Sequence, residues 1–125
     1  MPVDVTKPYD DSNIFARILR GEIPSNKAYE DDWVLAFHDI NPQAATHILV
    51  IPKGAYVSWD DFSERASEGE IAGFVRAVGK IAREAGLVEP GYRILANTGP
   101  NSGQEVPHLH IHIFGGGPLG PMLAR

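Results

Sequence analysis

Histidine recurs on alternate positions in His108-Leu109-His110-Ile111-His112-Ile113, and the run closes into Gly115-Gly116-Gly117. Successive side chains of an extended chain point to opposite faces, so the three imidazoles share one face while Leu109, Ile111 and Ile113 take the other. A fold built on this strand puts an apolar layer on one side and an arranged site on the other. Same-face neighbours lie roughly 6.6 Å apart along a strand, so one ring can reach a ligand atom and the next an oxygen bonded to it.

The flanking sequence predicts what surrounds that strand. Ser12 or Asn13 can cap a short helix with an apolar stripe of Ile14, Phe15, Ile18 and Leu19, ended by Gly21. Two strands of a hairpin follow, Ala28-Tyr29-Glu30 and Trp33 to His38, around the acidic turn Asp31-Asp32. Asn41-Pro42 breaks the pattern, and Thr46 to Ile51 reads as a buried strand that carries the unusual His47. Ser58 to Arg65 is ambiguous between a short helix and a loop. Ser67-Glu68-Gly69-Glu70 has capping-box spacing and opens a long helix whose apolar positions run from Ile71 to Ala85, with Gly86 placed to end it. Tyr92 to Ala96 is a further strand, and Asn97 to Gln104 is a turn-rich loop leading into the histidines. Strands outnumber helices without regular alternation, which predicts α+β architecture with a mainly antiparallel sheet of about five strands, one long helix and one short. Residues 1–12 read as a flexible leader and 13–125 as a single domain.

Composition narrows the chemistry. The chain has 125 residues, no cysteine and a net charge of −5. Disulfides, a catalytic thiol and a thiolate zinc site are therefore excluded, and oxygen and imidazole must do any polar work. The acidic balance argues against nucleic-acid and anionic-membrane binding, which depend on clustered Lys and Arg. No apolar run approaches the roughly 20 residues needed to span a bilayer, and no signal-peptide pattern opens the sequence, so a soluble cytoplasmic protein is expected.

Three readings of the histidine face follow from the residues alone. It can be a polar strand face satisfied by backbone carbonyls. It can be a metal site, with His47, Asp39 and Glu105 as candidate further ligands. Or it can perform nucleophilic catalysis on phosphorus, where a neutral imidazole attacks, a cationic one stabilises phosphate oxygens, and the Gly103-Gln104 turn offers N–H groups.

The run His108 to Ile113 with Phe114-Gly115-Gly116 resembles the His-φ-His-φ-His-φ-φ signature of the histidine-triad superfamily, and the rest of the chain resembles its Hint branch of nucleotide-binding proteins. Supporting stretches are Ile14-Phe15 through Gly21-Glu22-Ile23-Pro24, Tyr29 to Asp32, Ala36 to Ala44, Thr46 to Lys53 and Gly91-Tyr92-Arg93. The resemblance implies the histidine-triad fold, a homodimer with one continuous sheet, and a hydrolase for purine nucleoside phosphoramidates. His110 would attack the α-phosphorus, His112 would bond phosphate oxygens, and His108 and His47 would fix ring orientation. Asp39 would accept the ribose hydroxyls, with Asn97, Gly103, Gln104 and Val106 around sugar and phosphate. The base would sit among Ile14, Phe15, Ile18, Ile23, Phe37 and Ile40, with His38 at the pocket wall. The implied partner is a purine nucleoside monophosphate or its phosphoramidate, with no cofactor and no resident metal. Dinucleoside polyphosphate hydrolysis, nucleotidyl transfer and non-catalytic nucleotide binding or scaffolding are the alternatives. Many Hint proteins carry serine where this chain has Glu105, a position expected to pass a proton to the leaving amine.

Overall fold

The computed structural model describes residues 3–124. Five strands, β1 (Lys27–Glu30), β2 (Val34–His38), β3 (Thr46–Pro52), β4 (Arg93–Leu95) and β5 (Ile111–Gly115), form one sheet. Every neighbouring pair is antiparallel, in the order β1-β2-β3-β5-β4.

The pleat sorts the side chains to two faces. Val34, Ala36, Ile48, Val50, Ile111 and Ile113 point one way and pack with Phe62 of α2 (Trp59–Arg65) and with Phe74, Ala77, Val78 and Ile81 of α3 (Glu68–Glu84). Leu35, Phe37, Leu49 and Ile51 point the other way and meet Phe15 of α1 (Ile14–Leu19). His112 stands opposite Leu49 and Phe114 opposite His47 on adjacent strands, so the histidines extend this second face.

Local signals set the ends of the helices. The Asn13 side chain accepts from the Ala16 N–H at 2.9 Å and starts α1. Ser67 and Glu70 complete the capping box of α3, and Gly86 follows its last residues at φ +72°. The Trp33 indole lies across Gly69 and Gly73 of α3, and a Cβ at Gly73 would sit 2.3 Å from its ring.

Three features differ from the sequence reading. The ambiguous Ser58 to Arg65 stretch is a helix, capped by Ser58 and rich in acids at its first turn, so there are two short helices beside the long one. The histidine strand starts only at Ile111, because β3 ends in Pro52, which has no N–H to continue the ladder. Across that end the pairing turns irregular: Leu109 N–H reaches the Tyr56 carbonyl, and the His108 ring bonds the Pro52 carbonyl instead of a backbone N–H. The stretch read as a flexible leader also holds two specific contacts. Val3 is buried with its N–H on the Gln104 carbonyl, and the Tyr9 hydroxyl lies 2.6 Å from His108 Nδ1.

Candidate active site

Backbone partners assign the protons of the histidine cluster. A carbonyl can only accept, so His108 Nε2, 2.9 Å from the Pro52 carbonyl, carries hydrogen, and its Nδ1 accepts from Tyr9. The His108 carbonyl in turn accepts from His110 Nδ1 at 2.8 Å. Neutral His110 therefore presents a bare Nε2 lone pair.

The second pair follows the same logic. Gln43 donates its N–H to His47 Nδ1 at 3.1 Å, so His47 carries its proton on Nε2 and donates to His112 Nδ1 at 2.9 Å. His112 then keeps its own proton on Nε2. Asp39 stands beside this pair, with Oδ2 at 3.5 Å from His47 Nε2 and Oδ1 accepting from the Asn41 N–H. One carboxylate oxygen thus closes the turn before Pro42, and lone pairs remain for a ligand.

Burial fixes the charge state. Desolvation pushes His108 and His112 down to about 4, reinforced at His112 by its neighbours His110 and His47. Desolvation also lowers His110, opposed by its bond to the His108 carbonyl and by the charges of Asp39 and Glu105. His47 is lowered by burial against the pull of Asp39. The cluster is neutral at pH 7, and the His110 Nε2 lone pair is available without prior deprotonation.

His110 and His112 open onto a cleft of about 460 Å³, a volume ordinary for a small-ligand pocket. Its apolar wall is Ile14, Phe15, Ile18, Ile23, Phe37 and Ile40, and Phe15 meets the His110 ring edge-on at 5.0 Å. Phe37 is also a core residue, packed with Phe15 and Leu49, so the core and pocket readings both describe it. His38, Asp39, Asn97 and Glu105 supply the polar side, with Gly103 and the apolar Val106 beside them.

Three of the predicted site residues do not line the cleft. His47 and His108 lie behind the rings they hold. Gln104 is turned inward: its amide donates to the carbonyls of Val57 and Val106, and its Oε1 accepts from Gly99 N–H. Its backbone N–H and carbonyl are taken by Gly99 and Val3. Gln104 therefore rivets the glycine loop from inside, and Gly103, at φ +76°, turns the chain toward the cleft. Sequence reasoning missed Pro24, Ser25, Asn26, Asn41, Gln43 and Leu49 on the wall. The turn signal of Ile23-Pro24-Ser25-Asn26 marks a loop, but nothing in it shows which way the loop folds.

Glu105 is exposed and lines both the cleft and a smaller hollow of about 210 Å³ bounded by Asp10, Asn13 and Pro107. Among the described residues, Asp39, His47 and His112 are the group whose ligand atoms are close enough to hold a metal ion. Two of those atoms are already joined by the His47–His112 hydrogen bond.

Comparison with known proteins places this arrangement. The chain is 67% identical over 121 residues to a 13.2 kDa HIT-like protein of Azospirillum brasilense, covering 97% of this chain and 99% of that one. It is 47% identical over 115 residues to the purine nucleoside phosphoramidase of Escherichia coli K12, covering 92% and 96%. The structure of a histidine triad protein from Clostridium difficile superposes with a TM-score of 0.82 at 44% identity, covering 93% of this chain and all of that one. Residues 20–119 match the HIT domain, and with these relatives sharing its fold and sequence over nearly their whole length, the chain belongs to the HIT family.

Proposed function

We propose that this protein hydrolyses the P–N bond of purine nucleoside phosphoramidates. The observation that carries the reading is the His110 tautomer: Nδ1–H is spent on the His108 carbonyl, and the Nε2 lone pair faces a nucleotide-sized cleft. Kinship to the E. coli phosphoramidase supports the substrate class.

His110 Nε2 attacks the α-phosphorus, the P–N bond breaks, and the amine departs with the bond's electron pair and a proton. Water then attacks nucleotidyl-His110 and releases the nucleoside monophosphate. The His112 Nε2–H bonds the phosphate oxygen on which charge accumulates, and burial strengthens that bond. The base packs on Phe15, Ile18 and Phe37, while Asp39 accepts the ribose hydroxyls with its remaining lone pairs. Glu105, at the mouth, passes a proton to the leaving amine when the carboxyl is itself protonated. The unpaired edge of β4 and the exposed Ile94 on it support a dimer in which two sheets join edge to edge.

The test is turnover of an adenosine phosphoramidate beside a diadenosine polyphosphate, with His110→Ala as control. Amine release by wild type and none by the variant is expected. Equal turnover by the variant refutes the nucleophile; preference for the polyphosphate moves the reading to the dinucleotide hydrolases. Light scattering at micromolar concentration tests the dimer, and a clean monomer counts against it.

A further inference from the structure

The Tyr9 hydroxyl is aimed at a nitrogen with no other source of a proton. His108 is fully buried, and its Nε2–H is committed to Pro52, so its Nδ1 lone pair needs a donor from the protein. Tyr9 supplies it at 2.6 Å, with its ring edge-on to the imidazole at 5.6 Å. His108 is thus held at both nitrogens. The carbonyl of this same residue accepts Nδ1–H of His110 and so sets the direction of the Nε2 lone pair.

The segment carrying Tyr9 is itself pinned. Upstream, Val3 N–H bonds the Gln104 carbonyl; downstream, the Asp10 carbonyl accepts from both the backbone and the side-chain N–H of Asn13, the cap of the helix that brings Phe15 against His110. Tyr9 is not on the wall of the cleft. Its hydroxyl reaches the site through His108, and it also lies beside Asn13, the cap of α1.

We propose that Tyr9 is a positioning residue for the nucleophile, its hydroxyl holding the His108 ring and through it the carbonyl that orients His110. Removing the hydroxyl orphans a buried acceptor. The ring is then anchored by Pro52 alone, and the backbone at His108, whose carbonyl orients His110, is held less firmly. The nucleophile then spends less time aligned, while the nucleotide wall is untouched.

The proposal rests on the phosphoramidase reading for its kinetic arm alone. In Tyr9→Phe, kcat for an adenosine phosphoramidate is expected to fall about three- to tenfold, the worth of one neutral hydrogen bond, with KM held within about twofold. Nitrogen-15 spectra of the histidine rings should show His108 Nδ1 as a hydrogen-bonded acceptor in wild type and moved toward an unbonded lone pair in the variant. An unchanged kcat overturns the proposal. So does a parallel change of kcat and KM with the His108 signal in place, which marks a purely structural strap. Should the variant not fold, the wild-type spectrum decides, because a protonated Nδ1 on His108 reverses the assignment. If wild type releases no amine at all, the phosphoramidase reading fails, and the ring spectra still test the Tyr9 bond.

Discussion

Lowering the pH from 7 to 5 should unfold this protein more readily, because its buried histidines must take up protons to which the native structure gives no room. His108 and His112 titrate at about 4 in the folded chain, against about 6.5 in an unfolded one. The folded values are depressed, so the stability they carry is present above pH 6.5 and is lost as the pH falls toward 4. At pH 5 the unfolded state holds almost a full proton at each site and the native state about a tenth of one, which works out to roughly 2 kcal/mol for buried His108; His112 opens onto the cleft, where solvent screens its charge, and contributes less, so the pair carries about 2–3 kcal/mol. His110 and His47, also lowered, shift in the same direction. A total stability of about 5–15 kcal/mol is usual for a domain, so the loss is large. Urea unfolding followed by Trp fluorescence should show the midpoint falling by about 1 M or more between pH 7 and pH 5, for an m-value near 2 kcal/mol/M. Proton uptake on unfolding at pH 5 should reach about two per chain from His108 and His112, with His110 and His47 adding to it. A midpoint displaced by less than about 0.5 M, or uptake near zero, would refute the claim that these rings are buried neutral.

The same depression predicts that protonation of His110 puts no acid limb on kcat/KM for an adenosine phosphoramidate at or above pH 6.5; an acid limb there contradicts it. Glu105→Gln should alter the pH–rate profile if the carboxyl delivers the leaving-group proton, and superimposable profiles sink that role. Gly73→Ala should cost about 1–2 kcal/mol despite its better helix propensity, because the new methyl meets the body of the Trp33 ring. A red-shifted Trp emission should accompany the loss in thermal unfolding; a more stable variant with unchanged emission counts against the packing. Ser67→Ala should cost about 1 kcal/mol by removing the capping box, read from the urea midpoint.

The sheet and the long helix were legible because their signals are local. Continuous apolar runs mark β2 and β3 as strands buried on both faces, and Ser67, Glu70 and Gly86 fix the limits of α3. The site was legible in its face but not in its depth. Nothing near His108 in the chain reveals that Tyr9, 99 residues earlier, reaches its Nδ1, or that Pro52 takes its other nitrogen. Gln104 misled for a related reason. A polar side chain in a glycine loop looks like a ligand contact until the carbonyls of Val57 and Val106 come to meet it. The early end of the β5 ladder follows from a proline on the partner strand, which only the pairing register exposes.

The His108 carbonyl that holds His110 bears on the lifetime of what forms there. Once nucleotidylated on Nε2, with Nδ1–H still in place, the His110 ring is a cation, and its hydrogen-bond partner is a neutral amide oxygen and not a carboxylate. A carboxylate in that place would deepen the well in which the covalent adduct rests. An amide oxygen stabilises that cation less. In the proposed mechanism a peptide oxygen thus gives the covalent adduct less support than an acidic partner would, which favours its hydrolysis.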